Sequence, residues 1–183
     1  MLHEVYGWVP GKDNVRPTPA VRAQKELLLS NLDQMWASPA DWVFHHVFNA
    51  ATTRGADGKR AATGRPQDGQ TVFKPNPYPY DVPAGTEHWV FWMASPEAEW
   101  PDDRIDSGLS EAVDAFGGGD YGARRSYRSP AEVAPRDRAH SIPCLVCVLL
   151  AVWYPNPKMS VPDPKLYHVQ VFWRPERPLP PTT

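Results

Sequence analysis

The stretch from Asn76 to Met93, N-P-Y-P-Y-D-V-P-A-G-T-E-H-W-V-F-W-M, joins a proline-rich segment (residues 76–86), which we call the proline-rich approach, to an aromatic segment that contains one histidine. Proline fixes φ near extended values and lacks an amide donor, so the approach cannot be helical. From Glu87 the alternation predicts a strand that is largely apolar on both faces, as is typical inside a domain. One face would carry Trp89, Phe91 and Met93, and the other His88, Val90 and Trp92.

His88 is therefore expected to be sheltered from water. A sheltered imidazole needs a hydrogen-bond partner or a chemical task. One interpretation is a core histidine bonded to a backbone carbonyl, and the other is a ligand-binding or catalytic histidine. The sequence leaves both open.

Length and composition exclude several classes of protein. A chain of 183 residues can bury a core as one domain, and its formal charge of -2 gives no sign of a nucleic-acid surface. Cys144 and Cys147 lack the second pair that a structural zinc site needs, so we expect two buried thiols in a reducing compartment. We find no signal peptide and no span long enough for a membrane, and expect a cytoplasmic protein, virion-associated if viral.

Two helices are predicted near the N-terminus, each from a capping hydroxyl followed by proline. Thr18-Pro19 begins a helix to about Met35, and Ser38-Pro39 begins a second helix to about Phe48. In the first helix the apolar face would contain Val21, Leu28, Leu32 and Met35, while Arg22, Lys25, Glu26 and Asp33 would face water.

The middle of the chain gives weaker signals. Residues 52–70 are polar without periodicity and predict a mobile surface loop, and residues 95–106 predict an acidic loop. A short helix is predicted over residues 107–116. Two further strands are predicted, a buried one over residues 142–154, for which a core helix is the alternative, and an alternating one over Leu166 to Arg174.

The last predicted strand carries the strongest candidate chemistry. His168 and Gln170 leave the same face about 7 Å apart, at a rise of roughly 3.3 Å per residue. If the His88 strand lies nearby, the two histidines and the glutamine share a pocket, and Arg174 and Asn156 are natural donors at its rim. We take His168 and His88 as candidate catalytic residues, with a ligand held by Gln170, Arg174, Asn156, Tyr80 and Asp81.

These residues do not predict a metal site or a cofactor. Glutamine is an uncommon metal ligand, and the sequence spacing puts no carboxylate or third imidazole beside these residues. The alternative for Tyr80-Asp81 is a turn in which the aspartate caps its own backbone. The dinucleotide, phosphate-loop and G-x-S-x-G motifs are absent from the sequence.

The ordered motifs resemble a known family. They are W-x-S-P-x-D (36–41), P-Y-D-V-P-x-G-x-x-H-W-V-x-W (79–92), W-Y-P-N-P (153–157) with Ser160-Val161, and Y-H-V-Q-V-F-W-R (167–174). Together they resemble the domain of unknown function of fungal N-acetylglucosamine-induced protein 1, which has relatives in large DNA viruses. That family has H-x-H-V where this chain has His168-Val169-Gln170-Val171. The resemblance implies a fold relation, with no established activity to carry over.

The same strand is similar to the histidine-triad signature of nucleotide hydrolases and transferases. In the branch with H-x-Q, the resemblance implies that His168 is the nucleophile and that Gln170 donates to phosphate. The upstream histidine of that signature is Leu166 here, which argues against the assignment.

The sequence thus predicts an α+β domain over residues 18–175, with an irregular arm (1–17) and a proline-rich tail (176–183). Two N-terminal helices would lie on a small, mainly antiparallel sheet with long proline-rich loops. The first functional hypothesis is a pocket protein for a small polar, phosphorylated or sugar-like ligand, with or without histidine-based transfer or hydrolysis. The alternative is a non-enzymatic interaction or assembly protein with Trp100, Trp173 and the tail at a protein interface.

Overall fold

The computed structural model describes residues 17–82, 84–96, 99–117, 123–125, 151–155, 163 and 165–173. In chain order the elements are α1 (Pro19–Met35), α2 (Pro39–His46), β1 (Thr52–Arg54), β2 (Arg60–Ala62), β3 (Thr71–Pro75), β4 (Glu87–Met93), α3 (Asp102–Gly117), β5 (Ala123–Arg125), β6 (Ala151–Pro155) and β7 (Tyr167–Trp173). The α+β fold class predicted from the sequence is confirmed.

A five-stranded sheet in the order β3-β4-β7-β6-β5 is the centre of the fold. Its strand pairs are antiparallel except β5 and β6, which run parallel. The two histidine strands, β4 and β7, are direct neighbours. Their register sets His88 opposite Phe172, Val90 opposite Gln170, and Trp92 opposite His168.

One face of this sheet is covered by helix α3, and we call it the α3 face. Its residues from β4 and β7 are those that alternation predicted, namely Trp89, Phe91, Met93, Tyr167, Val169, Val171 and Trp173, and Phe73 from β3 and Trp153 from β6 join them. Ile105, Leu109 and Val113 project from α3 into the same core. At Gly108 an added Cβ would lie 3.1 Å from the Phe91 ring, so the absence of a side chain allows this close approach.

The other face, which we call the histidine face, carries His88, Val90 and Trp92 from β4 and His168, Gln170 and Phe172 from β7. Helices α1 and α2 lie over it. Helix α2 contributes Ala40, Val43 and Phe44, and its C-cap contributes Val47, to a second apolar cluster with Ala94 and Leu166. Helix α1 buries only Leu32 and leaves Leu27, Leu29 and Met35 exposed.

Both predicted helix starts are confirmed. The Thr18 hydroxyl accepts from the Val21 amide at 3.4 Å. The Ser38 hydroxyl accepts from the Asp41 amide at 3.1 Å, and the Asp41 carboxylate accepts from the Ala62 amide at 2.9 Å. The second cap therefore also ties α2 to the strand pair β1-β2.

Some local predictions are wrong. Residues 52–70 contain an antiparallel strand pair, because the chain turns at Gly58, with φ of 79°, and Asp57 accepts from the Lys59 amide. Helix α3 starts at Asp102, five residues before its predicted start, because Pro101 and two aspartates form a favourable N-terminal turn. Met35 is exposed rather than inward.

The tryptophans proposed for a protein interface are also placed differently. Trp100 and Trp173 are 6% and 1% exposed and belong to the α3-face core, so neither is available to a partner. Cys144, Cys147, the first nine residues of the predicted 142–154 strand, the proline-rich tail and nearly all of the arm lie outside the described residues. Among the described helices, none has the length and apolar character needed to cross a membrane.

Candidate functional site

A cavity of about 390 Å³ lies between helices α1 and α2 and the histidine face. Most of its walls are apolar. The helices contribute Leu28, Leu29, Leu32, Pro39, Trp42, Val43 and Val47, while the sheet and the proline-rich approach contribute Pro75, Pro77, Tyr78, Tyr80, Val90 and Trp92. Because exposed Leu29 and Pro77 are part of this wall, the cavity reaches the surface.

His168 and Gln170 are the polar residues that strand β7 contributes to the wall. They are 3% and 7% exposed and lie two positions apart on β7, so they share a face as the alternation predicted. The His168 ring stacks on Trp92, with ring centroids 4.4 Å apart. Both side chains line the cavity.

His88 lies behind Gln170 and is not part of the cavity wall. Its Nδ1 accepts from the backbone amide of Tyr80 at 2.9 Å, so the ring proton must be on Nε2 when the imidazole is neutral. The Nε2–H group then donates to the Gln170 Oε1 atom at 2.7 Å. Both nitrogens of His88 are thereby used, and its ring lies against Phe172 and Tyr80.

Asn76 completes the same network. Its Oδ1 accepts from the Tyr78 amide at 2.9 Å. This bond, to an amide two residues later, forms the Asx turn that asparagine favours. Its Nδ2 donates to Gln170 Oε1 at 3.2 Å. Asn76 Nδ2 also lies 3.2 Å from His88 Nε2. Because both atoms are donors, this is a contact and not a hydrogen bond.

The charged groups of the wall are all cationic. Lys25 projects from α1, and Lys74 from β3 donates to the carbonyls of His46 and Val47 at 3.0 and 2.8 Å, at the C-terminus of α2. An ammonium has three donors, so Lys74 retains one. Among the wall residues that the structure describes, no aspartate or glutamate is present.

The two buried histidines are neutral at pH 7. Burial lowers the pKa of His88 to about 4, even though the hydrogen bond to Gln170 acts in the opposite direction. Burial lowers the pKa of His168 to about 4 as well, with a smaller contribution from the positive charge of Lys25. The wall therefore contains neutral imidazole beside fixed ammonium groups.

The predicted site residues divide into three groups. His168, Gln170 and Tyr80 line the cavity, and His88 supports Gln170 from behind. Asp81 is exposed and is not part of the wall. Arg174 and Asn156 lie outside the described residues.

Four polar wall residues, Lys25, His46, Lys74 and Asn76, are not among the site residues predicted from the sequence. The sequence predicts that Lys25 faces solvent, although it is three and seven positions before Leu28 and Leu32 and so shares their face. Asn76 lies in a turn, where no periodicity marks a side chain. Lys74 follows the alternation of β3, and its position opposite Val90 places it on the histidine face.

The described residues contain no group of three or more histidine, cysteine, aspartate or glutamate side chains placed to hold a metal ion. Comparisons with family models, curated proteins and solved structures gave no significant match.

Proposed function

We propose that this protein binds a small organic anion in the cavity between helices α1 and α2 and the histidine face. The observation that supports this most strongly is the charge of the wall, which has two ammonium groups and no carboxylate among its described residues. In a partly desolvated site, such a charge distribution favours anions and disfavours cations.

Of the two cationic side chains in the wall, Lys25 supports the proposal more strongly. Lys25 is half-buried on the inner face of α1, and no ion pair is seen for it within the described ranges. Lys74 is partly neutralised because it caps the carbonyl end of helix α2. Lys25 is therefore the cation with the most charge available to a ligand.

The apolar walls define the rest of the ligand. Trp42, Tyr78, Tyr80 and Trp92 offer aromatic surfaces, and leucines of α1 close the opposite side. A volume of about 390 Å³ is at the lower end of small-molecule sites. The ligand we propose has a flat or apolar body and one carboxylate or phosphate group.

A thermal-shift screen tests this proposal. The panel contains aryl carboxylates, aryl phosphates, nucleotides and sugar phosphates, each beside a neutral analogue. A ligand at a hundred times its Kd should add about 2.7 kcal/mol to the free energy of unfolding, which is a shift of a few degrees. We expect shifts from anions with an aryl or base moiety, and Lys25→Met should remove most of each shift.

The matched control is Lys165→Met, which makes the same change at an exposed lysine outside the cavity. It should leave every shift unchanged. Equal shifts in the two variants, or shifts only from neutral compounds, would contradict the proposal.

A second candidate function is histidine-based transfer or hydrolysis. His168 favours it, because a neutral imidazole on the cavity wall can act as a base or nucleophile at pH 7. p-Nitrophenyl phosphate is a suitable probe, and release of nitrophenolate should require His168. A rate that is unchanged in His168→Asn would exclude His168 as the base or nucleophile and would leave the proposal of ligand binding standing.

A further inference from the structure

We infer that Gln170 is locked as a hydrogen-bond donor toward the cavity, so that the site selects ligands whose polar group is purely an acceptor. This inference rests on the proposed function, because it describes how the same cavity would recognise its ligand. It assigns recognition to the orientation of one amide rather than to charge alone.

The orientation follows from two backbone amides whose polarity is fixed. The Tyr80 amide donates to His88 Nδ1, which leaves the proton on Nε2 and makes that atom a donor. The Tyr78 amide donates to Asn76 Oδ1, which directs the Asn76 Nδ2 group toward Gln170. Both neighbours of Gln170 in this network are therefore donors.

An amide between two donors must present its oxygen to them. Gln170 Oε1 accepts from His88 at 2.7 Å and from Asn76 at 3.2 Å, which uses both of its lone pairs. The Nε2 hydrogens are left for other partners, and the side chain lines the cavity. A reversed amide would set its NH2 group against two other donors in a buried site, which is costly.

A carboxylate, phosphate or carbonyl oxygen satisfies this donor, whereas an amine or another N–H group does not. A site built around a donor rejects a ligand that lacks the matching acceptor, because the buried donor is then left without a bond. The Y-P-Y segment of the proline-rich approach thus sets the specificity of a cavity through His88 and Asn76, which act as positioning residues.

Three probes with one naphthalene body test the inference by titration of intrinsic tryptophan fluorescence at pH 8. They are 1-naphthoate, a charged acceptor; 1-acetylnaphthalene, a neutral acceptor; and 1-aminonaphthalene, a neutral donor. We expect Kd to increase in that order, with about a tenfold preference for the ketone over the amine, the equivalent of one well-formed hydrogen bond.

Gln170→Glu is the decisive variant. The carboxylate can still accept from His88 and Asn76, but it presents a second acceptor to the cavity. The preference should invert, so that 1-aminonaphthalene binds more tightly than 1-acetylnaphthalene. Lys25→Met should weaken only 1-naphthoate and leave the order of the neutral pair intact, since it removes charge without turning the amide.

A second variant, Gln170→Met, covers the case in which the glutamate variant does not fold, as judged by its near-ultraviolet circular dichroism. It should abolish the preference within the neutral pair. An unchanged preference in whichever variant folds overturns the inference and leaves the proposed function standing. If none of the three probes and no anion of the thermal-shift panel binds the wild-type protein, the proposed function fails and this inference fails with it.

Discussion

The two faces of the central sheet share the strands β4 and β7, and they differ in packing, polarity and empty volume. The α3 face is closed by aromatic and aliphatic side chains, several of them with no exposed surface, and by a helix that approaches closely at Gly108. The histidine face keeps a cavity, buries two histidines and a glutamine, and is covered by α2 and by α1, of which α1 buries only one residue.

This difference indicates that the two faces have different roles. Burial of closely packed apolar side chains is the main favourable contribution to folding. A face that holds polar groups and empty volume stores less stability, and such sites are typical of binding regions. We therefore regard the α3 face as the scaffold, and our proposal assigns ligand binding to the histidine face.

The largest expected effect is on pH dependence. Each buried histidine has a pKa near 4 when folded and near 6.5 when unfolded, so between these values the unfolded state binds more protons. Stability should therefore fall as pH falls from about 6.5 to about 4, by about 3 kcal/mol for each histidine. Urea denaturation at several pH values measures this loss.

His168→Phe isolates one half of that effect, because phenylalanine can still stack on Trp92 but cannot titrate. The variant should lose about half as much stability over the same pH range. A pH dependence equal to that of the wild-type protein would mean that His168 is not buried in neutral form.

The next expected effect compares one leucine from each covering helix. Leu109 on α3 is fully buried, whereas Leu28 on α1 is half-exposed and already faces the cavity. Leu109→Ala should cost about 2 to 5 kcal/mol of unfolding free energy, and Leu28→Ala about 1 kcal/mol or less. Equal losses in chemical denaturation would contradict the contrast between the faces.

A smaller effect is expected at the link between α3 and strand β6. Trp153 Nε1 donates to the Asp106 carboxylate at 2.6 Å. Asp106→Ala should destabilise the protein by about 1 to 3 kcal/mol, because the indole donor loses its charged acceptor. Asp106→Asn retains an acceptor oxygen and should be nearly as stable as the wild-type protein in thermal denaturation. If Asp106 acted only through its charge, Asp106→Asn would be as unstable as Asp106→Ala.

The smallest expected effect is electrostatic. Lys25→Met removes a positive charge that lowers the pKa of both imidazoles, although burial remains the main cause. Both histidines should therefore titrate at slightly higher pH in the variant, as followed by NMR of the ring protons. Lys165→Met should leave both titrations in place.

The sequence predicted the scaffold better than the site. Period-two alternation in β4 and β7 gave both strands and assigned their residues to the correct faces, because the side-chain period of a strand does not depend on its neighbours. Capping hydroxyls followed by proline gave both helix starts, since these signals act within one turn.

The site depends on contacts that no local pattern encodes. His88 and Gln170 interact because β4 and β7 are neighbours in one register, which alternation alone does not determine. The sequence predicts that Lys25 faces solvent, because charged residues usually lie on the outer side of a helix. In the structure α1 covers a cavity, and a half-buried lysine is accommodated there. The resemblance to the N-acetylglucosamine-induced protein family stays a prediction.

The most direct test of a binding cavity on one face is an NMR titration of the tryptophan indole signals with 1-naphthoate. Trp42 and Trp92 line the cavity, whereas Trp89 and Trp173 lie in the α3-face core, so the two pairs report on the two faces of one sheet. We predict saturable shifts for Trp42 and Trp92, lost in Lys25→Met, with Trp89 and Trp173 unchanged. Shifts confined to Trp89 and Trp173, or no saturable shift at any of the four, would contradict the assignment of ligand binding to the histidine face.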